Sequence, residues 1–191
     1  MERKVITQTL VLERSFVHDV VKAVLHTIIF HRYFGNVTPK SNCILAVVTY
    51  ASVDNADVLR TVDEKVEELM QTISATGETK SQMSLYFTET KPRKAWFSKS
   101  EEEICWEEWS INIHSRIART ERELNQMHAS AQDQAKQTIF SVIQQVDQHK
   151  DHIPLIASPK GNPFPYHITV ASGSGLWSSM IKRAILPGIS S

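Results

Sequence analysis

The stretch Ser15–Gly35, "SFVHDVVKAVLHTIIFHRYFG", decides how the rest of the chain is read. Its apolar residues Phe16, Val17, Val20, Val21, Val24, Leu25, Ile28 and Ile29 recur at spacings of three and four, the period of a helix with one buried stripe. Ser15 is expected as N-cap and Gly35 as the C-terminal stop. Asp19 in the first turn, and His31 and Arg32 in the last, suit the helix dipole. An amphipathic helix of this length needs a sheet or other helices to bury its stripe, which places it at the centre of the fold.

Before it, "VITQTLVLE" (5–13) alternates well enough for a half-buried strand. After it, "CILAVVTY" (43–50) is apolar and β-branched, and reads as one buried strand. A second helix is expected over 58–73, with Val58, Val62, Val66, Leu69 and Ile73 on one face. "QMSLYFTET" (82–90) and "CWEEWSINIHS" (105–115) alternate as strands, the latter with Trp109, Ile111 and Ile113 on one side. Residues 116–150 hold a helical pattern through Ile117, Leu124, Met127, Ala131, Ala135, Ile139, Val142 and Val146. A helix that long would run about 50 Å, more than a small core needs, so one end or face is expected to pack against another chain. Residues 152–165 hold four prolines and are irregular. "YHITVAS" (166–172) is a last strand, and "LWSSMIKRAIL" a last helical turn or strand. The order of elements predicts an α+β fold: an antiparallel sheet covered on one face by three helices.

Composition narrows the function. The 191 residues fit one domain; 41% are hydrophobic and 22% charged, and 21 basic residues balance 21 acidic ones. That balance removes the simplest case for a nucleic-acid binder. No apolar run approaches the ~18 residues of a membrane span, and the start shows no secretory signal. Such a chain, with only Cys43 and Cys105, reads as intracellular, its thiols serving as small buried apolar groups. With six glycines, a glycine-rich phosphate cradle is not expected.

Several stretches imitate catalytic or metal chemistry. Gly173-Ser174-Gly175 follows a strand, yet Ser178 stands at the third glycine position and no further strand and acid follow. His149 and His152 lie one turn apart, and His18, His26 and His31 share the first helix, but no Cys or His cluster has zinc-site spacing. Glu107 and Glu108 are neighbours on a strand and point to opposite faces. Glu101–Glu103 read as a solvated turn. Ser172 and Ser174 lack a nucleophile motif. The expectation is a non-enzyme without cofactor or metal.

"KPRKAWFSKS" (91–100) sets Trp96 and Phe97 side by side in the connection 91–103. A connection of about 13 residues is long for a hairpin, and long loops often carry function. Three readings are open from the residues alone. The loop folds back over one aromatic; or the pair is an exposed anchor for a partner; or the pair, with Lys91, Arg93, Lys94 and Lys99, meets an anionic membrane as a peripheral adaptor.

"AVLHTIIFHR", "QMSLYFTE…WFS…ICWEEWSINIH" and, less closely, "PYHITV…SMIKRAI" resemble the autophagy-related protein 101 family, over most of residues 16–186. The resemblance implies a HORMA domain over residues 1–191, its antiparallel sheet backed by three helices in an open, empty state. It implies a non-catalytic scaffold that pairs with the HORMA domain of autophagy-related protein 13 within the autophagy-initiating kinase complex. It further implies a cytoplasmic location and action at the phagophore assembly site. In the family an aromatic finger recruits downstream autophagy factors, a role that falls here on Trp96 and Phe97, with Lys91, Arg93, Lys94 and Lys99 as flanking basic contacts. Here the two aromatics adjoin, where the family pattern sets one residue between them.

Overall fold

A computed structural model of the chain describes residues 3–76, 80–95, 98–156 and 161–171, apart from the side chains of 75–76, 93–95 and 98–101. The described elements in order are β1 (Lys4–Glu13), α1 (Arg14–Arg32), β2 (Pro39–Ile44), β3 (Val48–Val53), α2 (Ala56–Thr76), β4 (Lys80–Ala95), β5 (Ser98–Arg116), α3 (Glu121–Gln148) and β6 (Tyr166–Ala171). The result is an α+β fold, consistent with a HORMA-like arrangement: a four-stranded sheet, a separate two-stranded sheet and three helices.

The helix α1 is central, as its apolar stripe requires. Val17, Val20, Val21, Val24, Leu25, Ile28 and Ile29 are all buried, packed among α2, α3 and β3. So are Ala23, His26 and Thr27, so the helix is enclosed on more than its apolar face. Its start differs from expectation. The helix begins at Arg14, and the Glu13 carboxylate accepts from the Ser15 backbone N–H at 2.7 Å, so Glu13 rather than Ser15 is the cap. Asp19 therefore lies beyond the first turn. At the other end the chain leaves the helix at Tyr33 in an extended conformation, two residues before Gly35. Gly35 serves close approach instead: a Cβ there would stand 3.0 Å from the Gly161 carbonyl.

The sheet runs β1-β5-β4-β6. β4 is antiparallel to both β5 and β6, as expected, but β1 lies parallel to β5, with Lys4 opposite Glu107 and Glu13 opposite Arg116. The sheet is mixed, not wholly antiparallel; alternation along a strand carries no information about its partner's direction. Trp109, Ile111 and Ile113 of β5, and Met83, Leu85 and Phe87 of β4, are buried on the helical side. The outer edge of β1 is closed by α3: the Gln134 side chain accepts from the Val11 N–H and donates to the Val11 carbonyl, both at 2.8 Å. One amide thus stands in for a neighbouring strand.

Residues 43–50 are not one strand. They span the end of β2, the turn at 45–47 and the start of β3, which pairs antiparallel with β2, Ile44 opposite Val48. Leu45 and Ala46 take positive φ angles of 48° and 62°, and the Val47 N–H donates to the Ile44 carbonyl at 3.3 Å. Apolar side chains there hid a turn that favours glycine or asparagine. Cys43 is exposed on β2, contrary to expectation, whereas Cys105 is buried and its thiol is pushed up to about 11 by desolvation.

In α2 the expected stripe is buried in full, and Asn55 caps the first turn by accepting from the N–H groups of Asp57 and Val58. The helix α3 is shorter than its apolar pattern suggested. It spans 28 residues, begins after the N-cap Thr120, and leaves Ile117 outside it, 67% exposed. Thr120 accepts from the Glu123 N–H while the Glu123 carboxylate accepts from the Arg119 N–H, a variant of the capping box.

Candidate functional site: a two-stranded ribbon beyond the sheet

Residues 91–103 are not an irregular loop. β4 and β5 continue pairing through eight backbone pairs past the sheet, from Thr88–Cys105 to Ala95–Ser98. β6 stops opposite Phe87, and β1 begins opposite Glu107, so neither flanks this stretch. The two strands therefore run on as a ribbon about 25 Å long, at ~3.4 Å per residue. Pro92 is compatible with strand geometry here because, among the described residues, no second strand needs its missing N–H. That is why a proline and a run of charges misled the reading of a loop.

A two-stranded ribbon is marginal by itself, so its anchorage matters. The register shifts between Phe87 and Thr88, and Trp106 is the extra residue. Such a bulge bends and twists the strand that carries it. Trp106 is buried and packs against Phe87, Phe164 and His152. Thr88 donates its backbone N–H to the Pro165 carbonyl at 2.9 Å, and its hydroxyl donates to the Glu103 carboxylate at 3.0 Å. His167 of β6 meets the same carboxylate at 2.7 Å. The hydrogen bond from His167, then that from Thr88, hold the Glu103 carboxyl below its ordinary range against the opposing effect of desolvation. Glu103 is thus an anchor of the ribbon's base within β5, not part of a solvated turn.

Trp96 and Phe97 lie outside the described residues; Ala95 and Ser98, on either side of them, are paired. Arg93, Lys94 and Lys99 sit on the ribbon strands, with side chains outside the description. Lys91 is exposed, and its ammonium pairs with Glu89 at 2.6 Å. Ser172, Gly173, Ser174, Gly175, Ser178 and the rest of the C-terminal segment to residue 191 are likewise outside the described residues.

Sequence reasoning missed a buried ionic cluster beneath the sheet. Glu107 and Glu108 do point to opposite faces, and each finds an arginine. Glu108 pairs with Arg3 at 3.1 Å, while Glu107, fully buried, takes a bidentate ion pair from Arg32 at 2.9 Å. The Glu107 carboxylate also accepts from Trp109 Nε1 at 2.5 Å and meets His152 Nε2 at 2.7 Å. Arg32 donates onward to the carbonyls of Val146 and His149 at 3.3 and 2.9 Å, supplying a cation to the C-terminal end of α3, which carries no basic residue in its last turn. His152 is thereby engaged through its side chain and His149 through its backbone carbonyl, and among the described residues no group of His, Cys, Asp and Glu is placed to hold a metal ion. No helix among the described residues is long and apolar enough to cross a membrane.

The mixed sheet, the central α1 and the projecting ribbon place the chain in an α+β class consistent with a HORMA-like fold. Comparison with known proteins then gives the particular family. The family model for autophagy-related protein 101 matches residues 9–160. The chain is 30% identical to autophagy-related protein 101 of Arabidopsis thaliana over 199 residues, covering 93% of this chain and 92% of that protein. It is 28% identical to the Schizosaccharomyces pombe protein of that name, over 97% and 96%, and 25% identical to the Homo sapiens one, over 73% and 70%. The chain belongs to the autophagy-related protein 101 family, and its role is in autophagy.

Proposed function

We propose that this chain is a single-domain, non-catalytic scaffold of autophagy initiation. It pairs with the HORMA domain of autophagy-related protein 13, stabilises that partner by binding its folded state, and joins it to the initiating kinase complex in the cytoplasm and at the phagophore assembly site. Trp96 and Phe97 recruit downstream factors. The observation that carries this reading is the ribbon. Trp96-Phe97 falls between paired strands that have already left the sheet, where core packing has no use for two large aromatics.

The pairing surface is assigned to the outward side of α3. Phe140 and Ile143 are exposed there, at 61% and 39%, three residues apart on one face. Ser141, between them in the chain, is turned instead toward β1, where its hydroxyl accepts from the Gln8 side chain. Exposed apolar residues on one face of a helix are costly unless a partner covers them.

The test is sedimentation of the chain with the partner HORMA domain, for wild type and for Trp96→Ala/Phe97→Ala. A one-to-one complex in both, with autophagosome formation impaired only by the variant, is the expected result. Unfolding of the variant, or two independent sedimenting species, overturns it. Salt-sensitive co-sedimentation of the isolated chain with anionic liposomes, lost in the variant, reassigns the ribbon to a membrane surface.

A further inference from the structure

At the end of the sheet away from the ribbon, a cavity of about 540 Å³ opens between the start of β4, the end of β5 and the first turns of α3. Its lining includes Lys80, His114, Arg116, Ile117, Arg119 and Met127. The chain as a whole has no net charge, so this concentration of cations is local. Among the described residues of the lining the one acid is Glu123, whose carboxylate is bonded to the Arg119 backbone N–H at 2.8 Å. Among the described residues, the side chains of Lys80, Arg116 and Arg119 enter no ion pair.

We propose that this cavity binds a phosphorylated peptide side chain. A phosphate monoester carries close to two negative charges and three acceptor oxygens, which suits two guanidinium groups and an ammonium converging from separate elements. Ile117 and Met127 supply apolar surface beside the cations for the residue that bears the phosphate. The volume lies within the ~300–1,000 Å³ of small-ligand sites. A concave site of that size favours a single side chain over the flat array of a lipid surface. The site is separate from Trp96-Phe97: Lys80 and Ala95 stand at opposite ends of β4.

The test is a titration of the full ¹⁵N-labelled chain with N-acetylphosphothreonine methylamide, its unphosphorylated form and inorganic phosphate. Saturable amide shifts over residues 116–119 and 123–127 are expected with the phosphorylated compound and not with its unphosphorylated form, while inorganic phosphate binds about tenfold more weakly. Arg116→Gln/Arg119→Gln, both exposed positions, should weaken binding by about tenfold or more while leaving the remaining spectrum unchanged. Equal shifts with the unphosphorylated compound, equal affinity for inorganic phosphate, or an undiminished response in the double variant overturns the proposal. So does arginine-dependent sedimentation with phosphatidylserine vesicles in the absence of any saturable response to the phosphorylated compound. Neither result bears on partner pairing through α3, which sedimentation reads separately.

Discussion

Arg32 and Glu107, 75 positions apart, meet in a buried bidentate ion pair that ties the last turn of α1 to the middle of β5. Through the carbonyls of Val146 and His149, the same guanidinium also holds the end of α3. Two charges out of water gain their stability from mutual attraction and from the hydrogen bonds around them, so losing either partner is costlier than losing both. Glu107→Leu and Arg32→Met should each destabilise the fold by about 3–5 kcal/mol. The double variant should cost less than the sum by at least ~1 kcal/mol. Urea unfolding of the four proteins measures the coupling, and strict additivity would show that the pair acts through packing alone.

His26 is buried against Tyr50, and neither ring nitrogen has a hydrogen-bond partner among the described residues. Desolvation, reinforced by the nearby Lys22, lowers its pKa from the ordinary 6.5 to about 4, although Asp63 pulls the other way. The unfolded chain therefore takes up this proton before the folded one. Stability is indifferent to this group above pH ~6.5 and falls as pH drops from there toward 4, by up to about 3 kcal/mol. His26→Phe should flatten that limb in chemical denaturation at pH 7, 5.5 and 4.5. A slope as steep as in the wild type would place the titration elsewhere.

The Glu103 carboxylate bonds His167 and Thr88 at the base of the ribbon. Its lowered pKa means that its stabilising effect is present above the unfolded carboxylate range and fades as pH falls through the folded value. His167→Ala should return the Glu103 carboxyl toward its ordinary range in a ¹³C titration. It should also speed amide exchange in residues 88–95 and 98–105 while leaving β1 protected. Unchanged exchange in the ribbon would mean that the bulge at Trp106 anchors it without help.

Phe140 and Ile143 are exposed on α3, so replacing them should cost the isolated chain little. Phe140→Ser/Ile143→Ser is expected to keep the thermal midpoint of the chain while weakening pairing with the partner HORMA domain by more than tenfold, or about 1.4 kcal/mol. Calorimetric titration measures this directly. Wild-type affinity in the variant would move the pairing surface off this face.

The helices were legible because each buries a stripe whose period is written in the order of its residues. Val58, Val62, Val66, Leu69 and Ile73 had one reading, and all five are buried. Turns and strand ends were less legible. Leu45 and Ala46 lack turn chemistry, and their positive φ values are held by the β2–β3 pairing and by a hydrogen bond from Gln132 to the Leu45 carbonyl. Pro92 argued for a loop because a proline breaks interior strands, whereas among the described residues the β4 side of the ribbon pairs at Pro92 with β5 alone. Glu107 gave no sign of burial, since its charge is balanced by residues distant in the chain.

Local order along the chain determined the three helices and most of the strands, the buried faces of α1 and α2, and a family resemblance carried by short contiguous blocks. Those depend on neighbours within a few residues, where backbone geometry sets the period. The tertiary structure alone decided the parallel β1–β5 pairing, the ribbon that outruns the sheet, the Arg32–Glu107 cluster and the cationic cavity beside α3. Each joins groups far apart in the chain, and whether such groups meet depends on how the elements pack, which no local pattern encodes.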